Sequence, residues 1–257
     1  MKPLLVIDGI ALYQGDCREV LLQLNEPHLY EAGIDLVLTD PPYGQTSLAW
    51  DVPVTDWLQG VWPLLKPSGS VWCFGTLRSF MAGADAIREA GFRLAQDVVW
   101  EKHNGATFHA DRFRRVHEQA AHLYPDDRPW SEIYKAPVTT PDATARAVRR
   151  KARPAHTGAV GIGVYVSEDG GPRLQRSVIR VRSEHGHAVV ETQKPLGVLT
   201  PLIEYSCPPD GIVLDPFAGS GSTLIAARML GRRAIGIEKD ENTCDKAIKR
   251  LAQGVLL

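Results

Sequence analysis

The chain of 257 residues, 44% hydrophobic and 23% charged, is long enough to bury a full core as one large domain or as a domain with a small insert. No apolar run approaches the 18 residues of a membrane-spanning helix, and Met1–Asp8 meets an acid too soon for a secretory signal. Cys17, Cys73, Cys207 and Cys244 are scattered without a C-x-x-C pair, so the expectations are no membrane, no metal, no disulfide framework and a reducing cytoplasm.

A strand is expected around Ala11–Tyr13, ending at Gly15-Asp16, followed by an amphipathic helix with Val20, Leu21 and Leu24 on one face. Ile34–Leu38 reads as a strand. A helix ends near Leu64-Leu65, and Lys66-Pro67-Ser68-Gly69 reads as a stop and turn. Ser70–Phe74 is then a strand, Ser79–Ala90 a helix and Phe92–Trp100 a strand, an alternation that implies a mainly parallel sheet.

After Trp100 the periodicity weakens. Residues 102–190 carry 15 Lys and Arg against 9 Asp and Glu, whereas residues 1–101 carry 6 against 13. A net charge of −1 for the whole chain hides this basic middle, which points to contact with a polyanion; a solvated surface is the plainer alternative. Arg146, Arg149, Arg150, Lys151 and Arg153 form a cluster. Val164–Val166 and Val178–Val181 flank Asp169-Gly170-Gly171-Pro172 and read as a hairpin. His185-x-His187 fits a hairpin or nucleic-acid-facing pair better than a metal site. From 191 the alternation returns: a helix from Pro195 to Tyr205, a strand Ile212–Leu214, a helix Ser222–Leu230, a strand Ala234–Ile237 and a last helix from Glu241.

Two motifs sit where buried parallel strands end, the usual place for sites in open α/β sheets. In Asp215-Pro216-Phe217-Ala218-Gly219-Ser220-Gly221-Ser222-Thr223, the two glycines let the backbone turn tightly and approach a ligand, and Ser222 and Thr223 are placed to cap the next helix. The loop lacks the Gly-Lys-Ser/Thr ending of a P-loop and the third glycine of a dinucleotide loop. Glu238, at the tip of the next strand, suits two ribose hydroxyls, so loop and acid together favour an adenosine-containing ligand without a pyrophosphate. In Asp40-Pro41-Pro42-Tyr43 the prolines fix two φ angles and remove two donors. The acceptor-rich loop that remains suits an exocyclic amine, with Tyr43 as a stacking face for a flipped base. A strand-end turn with a packed aromatic is the plainer alternative.

The order of these motifs resembles the β-group of DNA amino-methyltransferases, in which the catalytic motif precedes the target-recognition region and the cofactor motif comes last. Tyr13–Cys17 resembles the family's opening segment, Leu65–Ser70 its turn, and Val99–Lys102 and His117-Glu118 further family stretches. Thr192-Gln193-Lys194-Pro195 resembles the segment that helps hold the methionine end of S-adenosylmethionine; the usual preceding His-Pro is here Val190-Glu191.

What the resemblance implies is an α/β, Rossmann-like class I methyltransferase fold with permuted motif order and an inserted target-recognition region. Residues 1–101 would be the catalytic half, 102–190 the insert and 191–257 the cofactor half. The catalytic residues are expected to be Asp40, Pro41, Pro42 and Tyr43. S-adenosylmethionine is expected on Asp16, Thr192, Lys194, Asp215, Phe217, Ala218, Gly219, Ser220, Gly221 and Glu238. Double-stranded DNA is the expected partner, with Arg149, Arg150 and Lys151 on phosphates and Arg173, Gln175 and Arg180 near base edges. Asp rather than Ser at position 40 is commoner in the adenine-N6 enzymes. The alternatives are cytosine-N4 methylation, or a non-catalytic member of a methyltransferase complex. Relatives often pair, so a homodimer is an expectation, as is a bacterial or phage-type, nucleoid-associated role in restriction-modification.

Overall fold

The apolar runs expected as strands form the centre of one nine-stranded sheet. The computed structural model describes residues 2–25, 33–45, 48, 50–103, 105, 110–149, 164–184, 186, 188–190 and 193–253. They fall into two compact units, residues 1–136 with 177–257, and residues 137–176.

The larger unit begins with β1 (Leu5–Ile7), β2 (Ile10–Gln14), α1 (Cys17–Leu24), β3 (Ile34–Thr39), α2 (Trp57–Val61), β4 (Leu65–Gly75), α3 (Leu77–Glu89), β5 (Phe92–Glu101) and β6 (His117–Pro125). The smaller unit holds β7 (Thr139–Thr140), β8 (Arg146–Arg149), β9 (Val164–Ser167) and β10 (Arg173–Leu174). The larger unit resumes with β11 (Val178–Arg180), α4 (Leu196–Ser206), β12 (Ile212–Asp215), α5 (Ser222–Met229), β13 (Arg233–Glu238) and α6 (Glu241–Ala252).

The sheet order is β1-β2-β13-β12-β3-β4-β6-β5-β11. Strands β2, β13, β12, β3 and β4 run parallel, while β6 is antiparallel to both β4 and β5. All of β3 and β12 is buried, because helices cover both faces of the sheet. One apolar layer gathers Leu36, Leu38, Leu199, Ile203 and Leu224, with α4, α5 and α6. The other gathers Leu21, Val37, Val61, Leu214 and Ile235, with α1 and α2. Asp35 is the buried charge inside β3; its Oδ2 accepts from Lys66 Nζ at 2.8 Å and from the Ile212 amide at 2.9 Å.

The neighbours β12 and β3 come from opposite ends of the sequence. From β12 the chain continues to β13 on one side, and from β3 to β4 on the other. Their carboxyl ends therefore flank a topological switch point, where such sheets form a crevice.

Several expectations need correction. Lys66–Gly69 is not a free turn but part of β4: pairing jumps from Ile34↔Leu65 to Leu36↔Ser70, and a bulge absorbs the extra residues. The hairpin expected between 164–166 and 178–181 does not form. β9 pairs instead with β8, and β11 adds in parallel to β5, where Ile179 is buried. The Trp100 indole N–H donates to the Val181 carbonyl at 2.9 Å and fixes that edge. Residues 102–190, expected as an insert, divide: β6 is an inner strand of the main sheet, and residues 137–176 form the separate unit.

Within the smaller unit, β10 pairs with β7 and β8 with β9. Ala143 ties the turn between them, accepting from the Gly170 amide at 2.7 Å and donating to the Gly171 carbonyl at 3.1 Å.

Candidate active site

Strand β12 delivers Asp215 to the crevice, fully buried. Its Oδ1 accepts from the Thr39 hydroxyl at 2.7 Å and the Phe217 amide at 3.1 Å. Burial pushes this carboxyl up to about 6, against the hydrogen bonds from Thr223, Thr39 and Phe217. Thr223 is thus spent on Asp215. Helix α5 starts at Gly221 in the left-handed conformation with no side-chain cap, so the capping expected from Ser222 and Thr223 is not what the loop does. Gly219 also has positive φ, +51°, and a Cβ built there would meet only the Phe217 carbonyl, at 4.0 Å. The space above Gly219 is open.

Glu238 closes this loop from the tip of β13. One carboxylate oxygen accepts from the Gly219 amide and the other from the Asp240 amide, both at 2.9 Å. Burial raises Glu238, with these amides opposing. The Ala218 amide donates to the Ile237 carbonyl at 2.8 Å, and Gly236 makes room, since a Cβ there would lie 2.7 Å from Leu224 and 2.9 Å from Ala218. Asp16 stands beside Glu238 because β2 and β13 run in register, Gln14 opposite Glu238. It caps α1 and is held by Arg18 at 2.7–3.1 Å and Lys239 at 3.2 Å, which lower it well below the usual carboxylate range. Ser220 is buried under Arg250, whose guanidinium reaches its carbonyl at 2.7 Å and its hydroxyl at 2.8 Å.

Strand β3 delivers the second group. The two Asp40 oxygens are both engaged: Oδ1 accepts from the Tyr43 hydroxyl at 3.0 Å, and Oδ2 from the Lys194 ammonium. Pro41 is buried, while Pro42 and Tyr43 are half-buried. Behind them, buried Asp51 accepts from the Gly44 and Gln45 amides at 2.8 Å each and clamps the loop. Lys194 Nζ also lies 3.3 Å from Glu118 Oε2 and 5.2 Å from the Phe74 ring centre, and Lys102 pairs with Glu118 Oε1. Burial raises Asp40, with Lys194 opposing and Glu118 adding to the rise. Burial alone would raise Glu118, but Lys194 and Lys102 outweigh it and hold it at about 2. Burial would lower Lys194, but Asp40 and Glu118 keep it protonated.

The crevice thus gathers Asp16, the 215–221 loop, Glu238 and the Asp40–Tyr43 loop. Phe217 packs edge-on against Trp57 at 5.9 Å. Lys194 reaches Asp40, not the glycine loop. Thr192, Arg150, Lys151 and the His185-x-His187 pair lie outside the described residues. Arg149 lies in β8, Arg173 faces Asp142 at 3.9 Å, and the Gln175 amide donates to the Val138 carbonyl at 2.9 Å, all in the smaller unit. Exposed Arg180, on the edge strand β11 of the larger unit, pairs with Glu101 at 3.0 Å. Among the described residues, no His/Cys/Asp/Glu group suits a metal ion, and no helix is long and apolar enough to cross a membrane. Sequence reasoning gave no role to Thr39, Asp51 or Arg250 and left Lys102 and Glu118 as bare family matches.

Comparisons with known proteins show the family and the fold. The DNA methylase family model for N6 and N4 enzymes matches residues 34–249. The type II methyltransferase M.HinfI of Haemophilus influenzae is 27% identical, over 95% of this chain and 68% of the relative. M2.MboI of Moraxella bovis is 24% identical, over 89% and 82%. The solved M1.HpyAVI–SAM complex is similar with a TM-score of 0.65 and 25% identity, covering 94% of this chain and 98% of that one. The cytosine-N4-specific PvuII DNA methyltransferase has a TM-score of 0.66 at 17% identity, over 97% and 88%, a likeness of fold. The larger unit has the Rossmann-like class I methyltransferase fold of these neighbours.

Proposed function

The chain belongs to the N6/N4 DNA methylase family and is a DNA methyltransferase, and from that premise we propose that it methylates the N6 amine of a flipped-out adenine in double-stranded DNA, with S-adenosylmethionine as donor. The observation that carries the adenine reading is the carboxylate at position 40. It stands at the end of β3, beside the glycine loop at the end of β12.

The residues present suit S-adenosylmethionine. Open space above Gly219 admits a ligand where a side chain would intrude, and Glu238 supplies two acceptor oxygens for ribose hydroxyls. Asp16, beside Glu238, is the candidate for the adenine end. The bound cofactor supplies a methyl group made electrophilic by its sulfonium.

This chain's own work falls on the amine. Its lone pair is delocalised into the base, so it must be drawn toward an sp³-like geometry. Asp40 and the Pro41 carbonyl accept its N–H groups, and the Asp40 charge stabilises the positive nitrogen as it forms. Tyr43 offers its ring as a stacking face while its hydroxyl orients Asp40. Cys73 is buried and its thiol is pushed up by that burial, so it stays a thiol, and direct transfer needs no nucleophilic cysteine.

Purified protein incubated with S-adenosylmethionine and unmethylated duplex DNA should yield N6-methyldeoxyadenosine by nucleoside mass spectrometry. N4-methyldeoxycytidine instead would overturn the base assignment. No product at all would point to a non-catalytic partner. Asp40→Ala should retain the fold and lose about 10²–10³ in turnover or more.

A further inference from the structure

Both oxygens of Asp40 already hold a donor, one of them a charged ammonium, so an incoming neutral amine competes with that ammonium for the carboxylate. The Lys194 ammonium presents N–H to the same carboxylate that the reading above gives to the base. We propose that Lys194 is a placeholder for the target amine, and that Glu118 is the positioning residue that receives Lys194 when the base arrives. The inference rests on Asp40 being the amine acceptor.

Three observations carry it. First, among the described residues Glu118 Oε2 is buried and makes no well-aligned hydrogen bond, although Lys194 Nζ is only 3.3 Å away. A short swing of the ammonium would satisfy that oxygen. Second, Glu118 cannot follow Lys194 toward Asp40. Its other oxygen is held by Lys102, whose ammonium lies 4.6 Å over the Trp100 ring, and Trp100 is tied to Val181. Third, the charges balance. Asp40 and Glu118 face Lys194 and Lys102, so the swing leaves the cluster neutral and requires no proton transfer.

Energetics favour this arrangement over a static ion pair. A neutral amine competes poorly with an ammonium for a carboxylate, because stranding the buried cation would be costly. A second carboxylate beside the first removes that cost. It also returns the full Asp40 charge to the amine as positive charge develops there.

The test uses the whole protein, tritiated S-adenosylmethionine and unmethylated duplex DNA of several kilobases. Glu118→Gln removes the charged receiver, so Lys194 stays on Asp40. Turnover should fall at least about tenfold while cofactor affinity is unchanged. Adding Lys194→Met should raise turnover again, about fivefold or more above Glu118→Gln alone, because the competitor is gone. A double variant as slow as Glu118→Gln, or slower, overturns the proposal. If Glu118→Gln does not fold, Lys194 variants decide. Lys194→Met should be faster than Lys194→Arg, whose fork would bridge both carboxylates and resist release. The reverse order means a static structural pair. Asp40→Ala, which removes the acceptor oxygens, separates the two layers: an active Asp40→Ala removes Asp40 as the amine acceptor, whereas an inactive one with no recovery in the double variant removes only the placeholder.

Discussion

Thr39 donates its hydroxyl to Asp215 Oδ1 at 2.7 Å and so joins the ends of two adjacent strands that lie 176 residues apart in sequence. The bond helps a buried carboxyl stay ionised. Asp215 is raised to about 6 in the fold, so it contributes stability below about pH 4 that is lost as pH rises through about 6. Thr39→Val should destabilise the protein by about 1–3 kcal/mol at pH 8, where Asp215 is charged, and by less at pH 4. Thr39→Ser should be near neutral. Urea unfolding at the two pH values checks both; an equal loss at pH 4 and pH 8 would remove Asp215 from the explanation.

Two glycines of the cofactor half should respond differently. At Gly219 nothing in the protein lies closer than 4.0 Å to an added Cβ, so Gly219→Ala meets only the cost of a positive φ, about 1 kcal/mol. Its binding of S-adenosylmethionine should nevertheless drop sharply, since the methyl would enter the ligand's space. At Gly236 a Cβ would stand 2.7 Å from Leu224, so Gly236→Ala should destabilise by about 1–3 kcal/mol and lift the loop from β13. Calorimetric titration beside thermal unfolding separates the two; unchanged cofactor affinity in Gly219→Ala would contradict the site.

The pattern of success in reading this sequence has physical causes. The strands before Asp40 and Asp215 were legible because a strand buried on both faces is a continuous apolar run, and the motifs follow from where such strands end. Neither β6 nor β11 was legible as part of the main sheet. β6 follows a stretch of sequence with weak periodicity, and β11 has only three residues, whose pattern fits a hairpin as well as an edge strand. Partners that meet only in space carried no signal either: Glu118 and Lys194 come together because β6 lies beside β4, not because of any spacing. Lys194 was expected at the cofactor and is found on Asp40, since a motif gives a side chain's neighbourhood but not its direction.

His122 contributes the part of the acid limb of stability that begins near pH 6.5. Its ring stacks on Trp72 at 4.2 Å between centres and hydrogen-bonds Ser70 at 2.9 Å, fully buried. Burial, with Lys135 adding, lowers it to about 3. The unfolded imidazole takes a proton near pH 6.5 and the folded one does not, so stability present above that pH is lost as pH falls toward about 3. His122→Gln should cost about 1–3 kcal/mol at pH 7.5 but have a flatter acid limb. The gap to the parent protein should close between pH 6.5 and 4.5; a constant gap would mean that His122 titrates normally.

Recognition of a DNA sequence is proposed to lie within residues 102–190, where the charge balance is basic, and above all in the compact unit 137–176. That unit holds its strands by its own pairings, β7 with β10 and β8 with β9. Two classes of effect should separate. Replacing Arg149, Arg150 and Lys151 by Gln should weaken binding to every duplex and reduce the salt slope by about one for each phosphate no longer neutralised. Arg173→Ala, which removes the 3.9 Å pairing with Asp142, or Gln175→Ala should instead relax the choice of site, at about 1–3 kcal/mol for each bidentate bond to a base edge that is removed. Arg180 belongs to the larger unit, on the edge strand β11 and paired with Glu101, so its replacement should be the mildest of the three. Exchanging 137–176 for the matching segment of a relative with another site, followed by base-resolution mapping of methylation, decides where specificity lives. The new site should travel with the segment. If the old site persists, recognition resides on the methyltransferase sheet itself, and the basic cluster serves affinity alone.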